Sequence, residues 1–177
     1  MKKVFVAVAI LGAMGFVSSA SAAVASHVFS WSGTVPAAST DSAWIIKTPQ
    51  KDDIPAGILT FTTAGDKGVL TGSTDLAFNV FDYATPPTVG NAAASYTYQL
   101  SSLAINSAGL AAEQGADGYF EIQANGAALV KGQDVTVATG EATTLIVAPT
   151  AVATPSNQPD AGDDVNVQAT IVVSAAS

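Results

Sequence analysis

The residues able to do chemistry are few and poorly placed for it. The chain has one histidine, His27, close to its amino end. Serine is plentiful, but no Gly-x-Ser-x-Gly turn surrounds any serine, and one imidazole alone assembles no nucleophile–base–orienter set. Glu113, Glu121 and Glu141 are scattered, with no spacing that suggests the facing carboxylates of a glycosidase. Asp160, Asp163 and Asp164 lie close together beside a proline-rich loop and could offer oxygens to calcium. Their spacing matches no EF-hand loop, and a solvated turn is the plainer expectation. The glycines form no phosphate-binding loop. Tyr96 and Tyr98 share one parity and Tyr83 precedes Pro86-Pro87, which invites a sugar-stacking platform; cross-strand packing is the commoner use of such a pair. The sequence therefore predicts no enzyme, no cofactor and no metal site.

The elements that would carry any site begin after a leader. Met1-Lys2-Lys3 is a basic start, Val4 to Val17 is apolar and broken only by glycines, and Ala20-Ser21-Ala22 is a small-x-small cleavage signal. Residues 1–22 read as a secretory signal peptide, too short to span a bilayer, with the mature start at Ala23. The remainder is about one domain in size and can bury one core without staples. It has no cysteine, so an exported chain of this kind holds together by packing and not by disulfides. The whole chain carries six lysines and fourteen acids, a formal charge of −8. Lys2 and Lys3 leave with the leader, so four lysines face fourteen acids and the mature charge is −10. Such a surface repels phosphate backbones and anionic headgroups, so neither nucleic acid nor direct membrane insertion is expected.

Asp164 to Ala175 organises the rest of the reading. Val165, Val167, Ala169, Ile171, Val173 and Ala175 fall on one parity; Asn166, Gln168, Thr170 and Ser174 fall on the other, with Val172 the one apolar exception. That alternation predicts a long half-buried strand. It runs almost to the end of the sequence, so its free edge must be paired by an earlier segment or left for another chain. Further strands are expected at Ala43–Thr48, Gly57–Thr62, Leu76–Phe81, Ser95–Asn106, Tyr119–Ala124, Asp134–Ala138 and Thr144–Ala148. Turns are expected at Gly65–Gly68 and at Asn125-Gly126, with Ala127–Val130 as the returning arm of a hairpin. Gly109–Ala116 has a hint of helix too short to persist alone. Ala151–Asp160 is a long loop, and no internal repeat is evident. Short strands with turn signals every eight to twelve residues predict an all-β, immunoglobulin-like antiparallel β-sandwich.

Three motifs carry a resemblance. Val28-Phe29-Ser30-Trp31-Ser32-Gly33-Thr34 resembles the start of the major subunit of the common pilus of enteric bacteria. Lys47-Thr48-Pro49, followed by Gly57-Ile58-Leu59-Thr60-Phe61, is similar to that family's next strands. Gly162-Asp163-Asp164-Val165-Asn166-Val167-Gln168 resembles its closing Gly-Asp-Val-x-Val-Gln. These cysteine-free pilins are akin to the colonisation-factor (alpha) fimbriae, and the likeness covers about a third of the mature chain. The end of this sequence departs from many pilins in lacking an aromatic residue in its last strand.

The resemblance implies a fimbrial subunit whose sandwich is incomplete, missing its last strand and completed by donor-strand complementation. Residues 23–30 would be the amino-terminal donor extension and residues 31–177 the pilin domain, with Trp31 in the subunit's own core. Val24, Ala25, His27, Val28 and Phe29 would supply the donor strand; Val165, Val167, Ala169, Ile171 and Val173 would line the acceptor groove. The implied partners are further copies in a homopolymer, a periplasmic chaperone, an outer-membrane usher and a host-surface receptor. The implied route runs through the periplasm to a surface fimbria serving adhesion and biofilm formation. The alternatives are a self-contained secreted β-sandwich that binds carbohydrate or matrix, and a secreted matrix fibre polymerising without an usher.

Overall fold

The computed structural model describes residues 28–31, 43–107 and 111–176. The leader, 1–22, and residues 23–27 of the predicted extension lie outside them. The described chain is all-β. Its strands are β1 (Val28–Trp31), β2 (Trp44–Lys47), β3 (Gly57–Ala64), β4 (Lys67–Ser73), β5 (Leu76–Asp82) and β6 (Tyr96–Ser107). These are followed by β7 (Ala112–Glu113), β8 (Phe120–Ala124), β9 (Ala127–Ala128), β10 (Val135–Val137), β11 (Thr143–Pro149) and β12 (Val165–Ala176). Every ladder among them is antiparallel.

The architecture is sandwich-like. One sheet runs β2-β5-β11-β8-β9. Opposite it stand β1-β3-β4 and β10-β6-β12, the latter with β7 added on β6. These two smaller sheets meet where β1 lies alongside β12, with no ladder between the two strands. Alternation sets which side of each strand is inside: along β3, Gly57, Leu59 and Phe61 are buried while Ile58, Thr60 and Thr62 are exposed. Leu59, Val80, Tyr96, Ile122 and Val167 are almost wholly enclosed at the centre, and Phe78 packs edge-on against Tyr98. Two polar residues join this interior with their hydrogen bonds made. Thr143 meets the Tyr96 hydroxyl at 2.8 Å, and the Asn79 side-chain amide donates to the Gly140 carbonyl at 3.0 Å.

The structure differs from the sequence reading in three places. The expected turn at Gly65–Gly68 narrows to Gly65-Asp66, and Lys67 and Gly68 open β4, a strand the sequence reading omitted. Two glycines and small hydroxyl residues give Lys67–Ser73 little strand signature of its own; pairing to β3 and burial of Leu70 make it one. Of the helix hint at Gly109–Ala116, the described part pairs as β7 with Ala104 and Ile105 of β6, because a ladder outweighs a helical tendency less than two turns long. The returning arm of the Asn125-Gly126 hairpin shortens to Ala127–Ala128, although the Leu129 amide still donates to the Ile122 carbonyl at 2.8 Å. Asn125 and Gly126 have φ of 49° and 83°, the pair of positive values that a two-residue type I′ turn needs.

Candidate functional site

Among the described residues the strand predicted to organise the chain is the longest, equalled by β6 at 12 residues. β12 pairs with β6 from Val165↔Ser107 to Ala176↔Tyr96, with irregularities at Thr170/Ile171 and Val173/Ala175. Val165, Val167, Ala169 and Ile171 are buried and Val173 is half-buried against the same core, so the five predicted groove residues share the inner face. The other long edge of β12 carries no ladder among the described residues; β1 is the strand beside it.

β1 is held from the far side. Its register with β3 places Val28 opposite Thr60, Phe29 opposite Leu59, Ser30 opposite Ile58 and Trp31 opposite Gly57. Two predicted donor residues, Val28 and Phe29, therefore stand in a strand paired to their own chain. Phe29 is aligned with a buried residue and Val28 with an exposed one. Val24, Ala25 and His27 lie outside the described residues.

Among the described residues the register of β1 with β3 runs from Trp31↔Gly57 to Val28↔Thr60, and β3 continues to Ala64. Past Thr60 a pocket opens between Phe61, Thr62 and Thr63 on one side and Pro159, Gly162 and Val165 on the other. Its far wall is the loop that delivers the chain into β12, and that loop is fastened to the β3–β4 turn. The Gly68 amide donates to the Pro159 carbonyl at 2.8 Å, the Ala161 amide to the Asp66 carbonyl at 2.8 Å, and Lys67 forms an ion pair with Asp160. The Asp160 carboxylate raises the Lys67 pKa above its ordinary value, and Asp66 and Asp163 add to the effect at longer range. Among the described residues the pocket is therefore apolar at its base and acidic at its rim. Sequence reading missed Phe61, Pro159 and Gly162 as part of it. Phe61 was legible as an inward residue of β3, but the meeting of β3 with a loop nearly a hundred residues later was not.

The other candidates resolve as structure. Tyr96 and Tyr98 are 1% exposed each, so they offer no sugar platform. The Tyr96 hydroxyl donates to the Glu141 carbonyl at 2.7 Å, and burial raises both phenols above their ordinary pKa. Asp160 is taken up by Lys67, and among the described residues no three His, Cys, Asp or Glu side chains gather closely enough to hold a metal ion. No helix among the described residues is long and apolar enough to cross a membrane. Set against known proteins, the chain matches no family model, no curated protein and no solved structure.

Proposed function

We propose that this chain is the repeating subunit of an exported surface fimbria, a structural protein that polymerises by donor-strand exchange and serves adhesion and biofilm formation. The observation that carries the reading is β12: twelve residues, an inward apolar row, and a long edge without a ladder among the described residues. An extended segment laid along that edge gains main-chain hydrogen bonds and buries alternate side chains, which is how β-augmentation obtains affinity and specificity together. Head-to-tail donation does not close on itself, so its product is a filament. In this reading residues 1–22 direct export and the immunoglobulin-like sandwich is incomplete until a donor arrives. A periplasmic chaperone guards the slot, an outer-membrane usher orders the exchange, and a host-surface receptor is the final partner. The segment from Val24 to Phe29 of the next copy is the donor.

One observation favours the runner-up, a self-contained secreted β-sandwich that binds carbohydrate or matrix: β1 already lies beside β12 in the same chain, hydrogen-bonded to β3. Moving residues 23–34 to the carboxyl end through a flexible linker separates the two. Under the fimbrial reading the plain mature chain forms oligomers that persist on dilution, and the rearranged chain is a stable monomer. A plain chain that is already monomeric and melts in one cooperative step ends the fimbrial reading.

A further inference from the structure

The charge of this molecule is distributed unevenly over its surface. Thirteen of the fourteen acids fall between Asp52 and Asp164, almost all of them in turns, loops or strand ends. β1, β3, β6, β10 and β12 contain no Asp, Glu, Lys or Arg at all. They lie in one layer, where β1 beside β12 brings the β1-β3-β4 and β10-β6-β12 sheets together; β4 and β7 belong to the same layer and bring one charge each at its margins, Lys67 ion-paired with Asp160 and Glu113 ion-paired with Lys131. That layer presents Ile58, Thr60 and Thr62 from β3, Thr170 and Val172 from β12, and Gln99 from β6. Ile58 and Val172, two of the four large apolar side chains most exposed among the described residues, stand there on the two strands that flank β1.

We propose that this face, uncharged along its five central strands, is a self-association surface, joining copies of this chain side by side, sheet face to sheet face. Electrostatics selects the occupant. Copies that each carry a large negative charge repel one another, and approach is least opposed through the broad face whose one strand carboxylate, Glu113 at its margin, is already ion-paired with Lys131. The area is sufficient. Five strands about 4.8 Å apart, with about eight residues each at about 3.3 Å, make a face of about 600 Å² per copy. The pair would bury about 1,200 Å², the lower bound of a specific interface. Hydroxyl and amide side chains around two apolar centres suit a reversible contact of moderate strength, and none of this depends on how copies are joined end to end.

The test is sedimentation of the mature chain across a range of sodium chloride concentrations. Repulsion between the charged ends is screened by salt while the neutral face is not weakened, so side-by-side association should rise with salt. Face-to-face complexes should dissociate on dilution, which distinguishes them from strand-donated polymers. Two doubly substituted chains, Thr60→Glu with Val172→Glu and Thr60→Lys with Val172→Lys, should each associate at least tenfold more weakly. Mixed together they should recover association, and that recovered contact should weaken with salt. Both positions are solvent-facing, and matching melting curves confirm that the variants fold. The proposal is overturned if the charged chains associate like the plain one, if the plain chain shows no dilution-sensitive association at any salt concentration, or if the face binds a neutral polysaccharide while copies stay apart.

Discussion

β8 and β12 have the same alternation and reach the same core, but their edges are treated differently. β8 is closed on both sides. β11 runs along one edge; on the other, β9 returns through the Asn125-Gly126 turn, and beyond the reach of β9 a side chain takes over. Gln114 accepts a hydrogen bond from the Phe120 amide at 3.0 Å and donates its own amide to the Phe120 carbonyl, standing in for a neighbouring strand. Among the described residues β12 has one full-length partner, and on its other side stands β1, which is bonded to β3 instead. An edge five residues long can be covered by a tight turn and one glutamine; an edge of twelve needs a strand of comparable length. Among the described residues the difference separates an edge that is covered from one that is not, and under the proposed fimbrial reading the second is where a donor lies.

The sharpest way to break this comparison is to fix β1 in place. The chain has no cysteine, so Ser30→Cys with Ile58→Cys creates a single candidate disulfide across a register pair of β1 and β3. If Val28 and Phe29 serve as donor residues they must leave β3, and the oxidised variant should lose fibre formation almost completely while the reduced one polymerises. Electron microscopy with and without reductant reads the result. Unimpaired fibres from the oxidised chain would confine the donor to residues before Val28. The register also says which donor side chain matters most. Phe29 aligns with buried Leu59 and Val28 with exposed Thr60, so Phe29→Asp should slow polymerisation more than Val28→Asp.

Equal damage to the two cores should have unequal consequences. Ile122 on β8 and Val167 on β12 are 1% and 0% exposed. Truncating either to alanine should cost about 2–4 kcal/mol of folding stability, less for the smaller valine. Under the proposed fimbrial reading only Val167→Ala also removes contact area from the acceptor groove. When the two variants are compared at matched stability, by temperature or denaturant, the β12 variant should polymerise more slowly and the β8 variant at the parent rate.

Alternation made β3, β6, β8 and β12 legible because each has one wet and one dry face, and Asn125-Gly126 was legible because few dipeptides accept two positive φ values. β4 was not, since its glycines and hydroxyl residues acquire a preference only from β3. Partnership was less legible than identity. Nothing local states that β1 pairs with β3 and not β12, or that Phe61 meets Pro159 across the slot, because those contacts join segments about 30 and 100 residues apart. The Gln114 clamp was hidden for a related reason: an amide side chain acts as a strand only where two distant segments bring it to an open backbone. Tyr96 and Tyr98 showed the right parity, but their burial depended on the opposite sheet.

The clamp on β8 makes a prediction smaller in size and specific in form. A Cβ on Gly118 would overlap the Gln114 side chain, so Gly118→Ala should expel the glutamine from Phe120. Leaving those backbone groups unpaired should cost about 1–3 kcal/mol, and Gln114→Ala should cost much the same. With Gln114 already truncated there is nothing for the new methyl to displace, so the double variant should be little worse than either single one. Additive losses would mean that Gly118 is needed for its backbone alone. Amide exchange at Phe120 should speed up in all three.

The smallest effect is one of alkaline pH, and it belongs to the strand that supports β12. Burial raises the pKa of Tyr96 and Tyr98 on β6 above the ordinary value of 10.0, while hydrogen bonding to Thr143 works in the opposite direction and only partly offsets it. In the unfolded chain both phenols ionise near 10.0, and in the folded chain they ionise later. Over that interval the unfolded state holds fewer protons, so stability falls as pH rises. The stability is complete below the unfolded pKa and is lost as the pH climbs through 10 and above. Tyr98→Phe, which has no proton to lose, should flatten the alkaline limb of a stability–pH curve, and a curve as steep as the parent's would place the cause elsewhere. Because these rings back the half of β6 that pairs with the end of β12, from Ile171 to Ala176, amide exchange in that part of β12 should rise before exchange in β8 as the phenols ionise.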